Sequence, residues 1–125
     1  TKNKKETKKV LEIKGRKLEI EKFYEKVAKF NFNELCNRNL GSEDYISIAH
    51  NSEFIFILNL PNFNEDNSNQ QQRFITLIDI IYEKKIPLMV TSHIDLDKIN
   101  SSKNLIEPFK RTISRLYELT SINYK

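Results

Sequence analysis

The chain has 125 residues, of which 38% are hydrophobic, 30% charged and 10% aromatic, with a formal net charge of +4. That length serves one core rather than two, and no apolar run approaches the ~20 residues a membrane helix needs. The charge is local: five lysines and one glutamate within residues 1–9 account for all of it, so the rest is neutral and gives no specific nucleic-acid footprint.

Residues 1–9, "TKNKKETKK", read as a solvated basic tail or linker, and residues 10–125 as a single α/β domain. The lysine-rich start at Thr1 has no apolar stretch beside it, so it is not a secretory signal; it reads as a cut through a longer protein. "KVLEIKGRKLEI" alternates apolar and polar residues around Gly15, which predicts a β-hairpin turning where φ > 0 is needed. "VAKFNF" reads as a strand with Val27, Phe30 and Phe32 on its apolar side. Gly41 then breaks the chain, Ser42 is expected to cap, and Tyr45, Ile48 and Ala49 fall at helical spacing as far as Asn51.

"EFIFILNLP" is a continuous apolar run, the pattern of a strand covered on both faces. The polar stretch "NFNEDNSNQ" reads as a loop. A helix over residues 69–84 places Phe74, Leu77, Ile78 and Ile81 on one stripe and ends in Lys84 and Lys85, which suit the negative end of its dipole. "IPLMVTS" is a second buried strand, with Pro87 near its start. "DLDKIN" forms a helical turn. The last helix starts near Glu107 with Pro108 in its first turn, and Phe109, Ile113, Leu116 and Thr120 are its inward stripe. Strands alternating with helices predict a small, mainly parallel sheet joined by right-handed crossovers.

Candidate chemistry is sparse. The apolar strand closing on Thr91, Ser92 and His93 resembles the strand tip at which P-loop ATPases sense the γ-phosphate. The phosphate loop G-x-x-x-x-G-K-[ST] does not occur, however, and Gly15 and Gly41 are the only glycines. Asn59 stands where an acid would order Mg²⁺. The fold expected is therefore half of a P-loop-type sheet without its phosphate loop. Cys36, alone in the sequence, excludes an intramolecular disulfide, suits a reducing compartment and reads as a buried small hydrophobe. His50, His93 and Cys36 are not at metal-ligand spacing. No catalytic, cofactor-binding or metal-binding residue is expected here. The most specific polar pattern is Arg111, Ser114, Arg115 and Glu118, one stripe along the last helix, with an Arg115–Glu118 pair as its simplest reading. A free-standing interaction module and a small hydrolase using Cys36 or His93 are the alternatives left open by these residues.

Five motifs in order carry a resemblance: Gly15-Arg16; Phe30, Phe32, Leu35 and Cys36; Leu40, Gly41, Asp44 and Tyr45; "RFITLIDIIYE" from Arg73 to Glu83; and Phe109, Arg111, Ser114, Arg115, Leu116 and Glu118. Together they resemble the C-terminal part of the ZapE-like family of P-loop, AAA+-type ATPases over residues 15–124. Asn59, Gln72 and Leu119 depart from that family's acid, first arginine and methionine. The resemblance implies that the Walker motifs lie N-terminal to Thr1, with ATP and Mg²⁺ used by the parent and held by none of these residues. It also implies a parent that couples ATP hydrolysis to cell division or protein quality control, in the bacterial cytoplasm or the mitochondrial matrix. The partners implied are the N-terminal ATPase core, further copies in a homo-oligomer and a client protein. Arg73, Arg111, Ser114, Arg115 and Glu118 are the expected core-contact or interface residues.

Overall fold

In a computed structural model of the chain, the structure describes residues 7–13, 16–24, 26–36 and 40–121, with side chains over 26–36 and 40–120. The hairpin forms from β1 (Thr7–Ile13) and β2 (Arg16–Tyr24), antiparallel, with Ile13 registered on Arg16 and Leu11 on Leu18. Gly15 and the glycine turn expected there lie outside the described residues, as do residues 1–6. β1 starts at Thr7, two residues before the alternating stretch that opens at Lys9.

β3 (Val27–Asn31) pairs antiparallel with β2 and parallel with β4 (Phe54–Leu60), which pairs parallel with β5 (Leu88–Ser92). The five strands form one sheet in chain order. Among the described residues four helices join or follow the parallel strands: α1 (Phe32–Cys36), α2 (Ser42–His50), α3 (Ser68–Lys84) and α4 (Ile106–Ser121). Strands laid side by side in chain order with right-handed crossovers place their connecting helices on one face of the sheet. The packing agrees: α1 and α2 lie against α3, and α3 lies against α4.

The buried strand residues described from Ala28 to Leu88 gather on that face. Ala28 and Phe30 from β3, Ile55 and Ile57 from β4 and Leu88 from β5 meet Tyr45 and Ile48 of α2 and the predicted α3 stripe, Phe74, Leu77, Ile78 and Ile81. Each buried Leu, Ile or Phe among them contributes ~1.5–3 kcal/mol relative to exposure. Four phenylalanines, Phe32, Phe63, Phe74 and Phe109, tie the helices together with ring centroids 5.4–6.1 Å apart.

Several expectations change on contact with the fold. Phe32 begins α1 instead of ending β3, and Val27 and Phe30 lie on opposite faces of their strand, as the two-residue period requires. The signal for α1 is Asn31-x-x-Glu34: the Glu34 carboxylate accepts the Asn31 N–H at 2.7 Å, one half of a capping box. Likewise α2 is held at its start by Asp44, which accepts the Gly41 N–H at 2.7 Å, and no hydroxyl of Ser42 caps it. Phe63, placed in a loop by its polar neighbours, is 1% exposed. The inward stripe of α4 is Phe109, Thr112, Leu116 and Leu119, while Ile113 and Thr120 are only partly covered. β4 and β5 are not covered on both faces, since Phe54, Phe56, Leu58 and Met89 remain partly exposed.

Candidate functional site at the α3–α4 seam

The C-terminal tips of β4 and β5 are where α/β folds keep ligands. Here their polar groups are used internally. Thr91 Oγ1 accepts the Asn59 N–H at 2.9 Å, and Asn59 takes up φ 64°, a left-handed conformation that asparagine tolerates. Ser92 Oγ donates to the Leu60 carbonyl at 3.0 Å and accepts the Ile94 N–H at 3.1 Å. His93 and His50 are exposed. Nor do the helix starts after β3 suit phosphate: the carboxylates of Glu34 and Asp44 already sit on the backbone N–H groups of Asn31 and Gly41. These residues do not fit a nucleoside triphosphate. Beyond the tips lies an open groove of about 660 Å³ whose floor is apolar, with Phe63, Leu96, Ile99, Ile106 and Phe109 among its lining. Two of its charges are engaged within the chain: Glu65 accepts the backbone N–H of Lys103 at 2.9 Å, and Lys110 pairs with Glu107 at 3.3 Å.

Cys36 is fully buried, and burial pushes its thiol up to about 12, a rise that the Tyr45 hydroxyl and the Arg73 charge only partly offset. Tyr45 donates to the Leu35 carbonyl at 2.7 Å, and burial raises its own pKa first of all. A protonated, enclosed thiol is a poor nucleophile. Among the described residues no group of three or more His, Cys, Asp or Glu side chains is placed to hold a metal ion.

The polar residues of the sequence motifs divide into two places. Arg73 lies on the α1 side of α3, where its guanidinium donates to the Cys36 carbonyl at 3.0 Å and so anchors the end of α1. Arg111, Arg115 and Glu118 lie instead along the seam between α4 and α3. Asp79, at the middle of α3, receives both arginines: Arg115 hydrogen-bonds its Oδ1, and the Arg111 guanidinium stands 3.7 Å from its Oδ2. The Arg115 guanidinium also lies over the Tyr82 ring, 4.5 Å from its centroid, a favourable cation–π placement. Tyr82 in turn donates to Glu118 at 3.4 Å, and this bond is the main reason its hydroxyl is held more firmly protonated than usual. The simple expectation of an Arg115–Glu118 pair misses this arrangement, because the acid that Arg115 meets lies 36 residues away on another helix.

Exposure separates the two arginines. The Arg115 side chain is 24% exposed and that of Arg111 is 56%. Arg115 is packed in the seam; Arg111 stands at its rim with donors to spare. Ser114 is exposed. Asp79 and Tyr82 belong to the motif "RFITLIDIIYE", yet nothing in the sequence near Arg115 shows that they are its partners.

No helix among the described residues is long and apolar enough to cross a membrane. No solved structure matches the chain significantly. Among curated proteins, it is 28% identical to the cell division protein ZapE of Escherichia coli over 121 residues, covering 97% of this chain and 32% of that protein. It is 32% identical over 90 residues to lactation elevated protein 1 homolog B of Danio rerio, covering 72% of this chain and 18% of that protein. The chain thus spans a third or less of the length of these curated relatives. The sequence pattern of the AFG1-like ATPase family matches residues 1–125, and the residues of that match include both helices of the seam and the strands beneath them. This chain belongs to the AFG1-like ATPase family.

Proposed function

We propose that residues 10–125 are the C-terminal α/β domain of an ATP-hydrolysing protein, with ATP and Mg²⁺ bound by a separate ATPase core. The domain packs on that core and offers the α3–α4 seam to the core, a neighbouring subunit or a client protein. The observation that carries this reading is family membership over the whole chain, in a domain whose strand tips and helix starts do not suit a triphosphate. The parent's hydrolysis serves cell division, as the name of the bacterial relative states for that protein, or protein quality control.

Within the seam the two arginines have different tasks. Arg115 fixes α4 to α3 through Asp79 and Tyr82. Arg111, held at its inner end by the same carboxylate, has free donors for an incoming carboxylate or phosphate, which its planar fork can bind bidentately. In the parent protein, Arg111→Ala should lower turnover on the order of 10³-fold if it meets a neighbour's phosphates. If it meets a carboxylate, assembly should weaken with a milder loss of rate. Steady-state ATPase assays with sedimentation of the same samples separate these results, and unchanged turnover with unchanged assembly would overturn the role. For the chain 1–125 alone, calorimetric titration with Mg-ATP should be flat; micromolar binding would overturn the division of labour.

A further inference from the structure

A parallel sheet is ordinarily covered on both faces, and its strands carry apolar residues at successive positions for that reason. β4 has such a run, but only alternate residues are used. Ile55 and Ile57 are fully buried in the core, whereas Phe54, Phe56 and Leu58 are partly exposed and do not belong to the core cluster or to the residues packed against it. The register extends this second face sideways: Val27 is paired with Phe54, and Met89 with Phe56. Phe54 and Phe56 pack on each other, with centroids 4.9 Å apart. Since the four helices share the opposite face, no helix among the described residues covers this one.

We infer that this second face, Val27, Phe54, Phe56, Leu58 and Met89, is a docking surface for an apolar segment of the same polypeptide beyond these residues. The inference rests on the proposed reading for the existence of that further chain. The ATPase-family relatives are three or more times longer than this chain, so a covalently attached occupant is available to them. Size favours attachment as well. Five side chains, each already partly covered, fall far short of the ~800 Å² that each partner of a stable complex ordinarily buries. A tethered segment needs no such area, because a linker holds it at an effective concentration in the millimolar range. Lys29, on the same face between Val27 and Asn31, favours an acidic residue at the edge of the apolar stripe of that segment.

Met89 makes the test direct, since it is the only methionine in the sequence. Oxidation by dilute hydrogen peroxide, followed by mass spectrometry, should proceed readily in the chain 1–125. It should slow at least tenfold in the protein translated from the complete reading frame. Resistance of Cys36 to a thiol reagent serves as the check that both samples are folded. Equal oxidation rates in the two folded proteins would overturn the inference, as would a reading frame that adds no further chain. Protection that appears in 1–125 alone as its concentration rises would also overturn it, by making a second copy the occupant. Long protein that hydrolyses ATP but leaves Met89 unprotected sinks this inference and spares the proposed function. Protection without ATP hydrolysis does the reverse.

Discussion

The two faces of the parallel sheet are made from alternate residues of the same strands, and they differ in what meets them. Ile55, Ile57 and Leu88 are buried in one core cluster with side chains of the helices, while Phe54, Phe56, Leu58 and Met89 on the reverse side are only partly covered. The residue types on the less covered face are, if anything, larger. Apolarity in a strand therefore records the need for a cover, and the cover need not lie within the same hundred residues. A similar contrast runs along α4, where Arg115 is committed to the seam and Arg111 stands at its edge.

The sharpest way to break the first contrast is by truncation. Ile57→Ala should cost the chain roughly 3 kcal/mol, because it leaves a cavity in a close-packed core. Phe56→Ala should cost less, about 1 kcal/mol, since its ring packs on Phe54 and is only partly buried. Urea unfolding of both variants gives the comparison directly. Equal losses would mean that the second face is already covered within this chain.

The seam comes next. Arg115→Ala should destabilise by about 1–2 kcal/mol, since it removes a charge-assisted bond and a cation–π contact and leaves Asp79 in part-buried surroundings. Arg111→Ala, a change at an exposed ion pair, should cost less than about 0.5 kcal/mol. A double-mutant cycle with Asp79→Asn should show the larger coupling for Arg115. Coupling of equal size for both arginines would erase the distinction between anchor and rim.

Alkaline pH probes the covered side through Cys36. Its thiol is raised from 9.0 to about 12 in the fold, so the unfolded chain releases that proton first as pH rises. Stability contributed by the neutral thiol is complete below pH 9 and declines between pH 9 and 12, by at most about 1.4 kcal/mol per pH unit. Tyr45 acts in the same direction. Cys36→Ala should flatten part of that slope in denaturation series at pH 8, 9 and 10. An unchanged slope would mean that the thiol is open to solvent.

The smallest effect concerns the end of α3. Lys85 closes that helix in a left-handed conformation, φ 56°, while the Ile86 N–H reaches back to the Ile81 carbonyl at 3.2 Å. A side chain at that position is strained, so Lys85→Gly should raise stability by up to about 1 kcal/mol despite the added freedom of the unfolded chain. A lower melting temperature would show that the lysine side chain contributes more than the strain costs.

By itself the sequence determined the order of the strands and of the three longer helices, the hairpin, the parallel arrangement and the inward stripe of α3, because periodicity and caps act over a few residues; the five-residue α1 was too short to show a period. It also marked Cys36 as a packed thiol, and its ordered motifs marked the family. It did not show that Asp79 and Tyr82 hold Arg115, since partners on different helices meet only when both helices have packed. For the same reason Phe63 was hidden among polar neighbours: its burial depends on Phe32, Phe74 and Phe109, which come from three other elements. Nor could the apolar run in β4 tell one covered face from two. Hydrophobicity is a property of each residue, but which face is buried depends on the side to which right-handed crossovers carry the helices, and that is decided only by the tertiary structure.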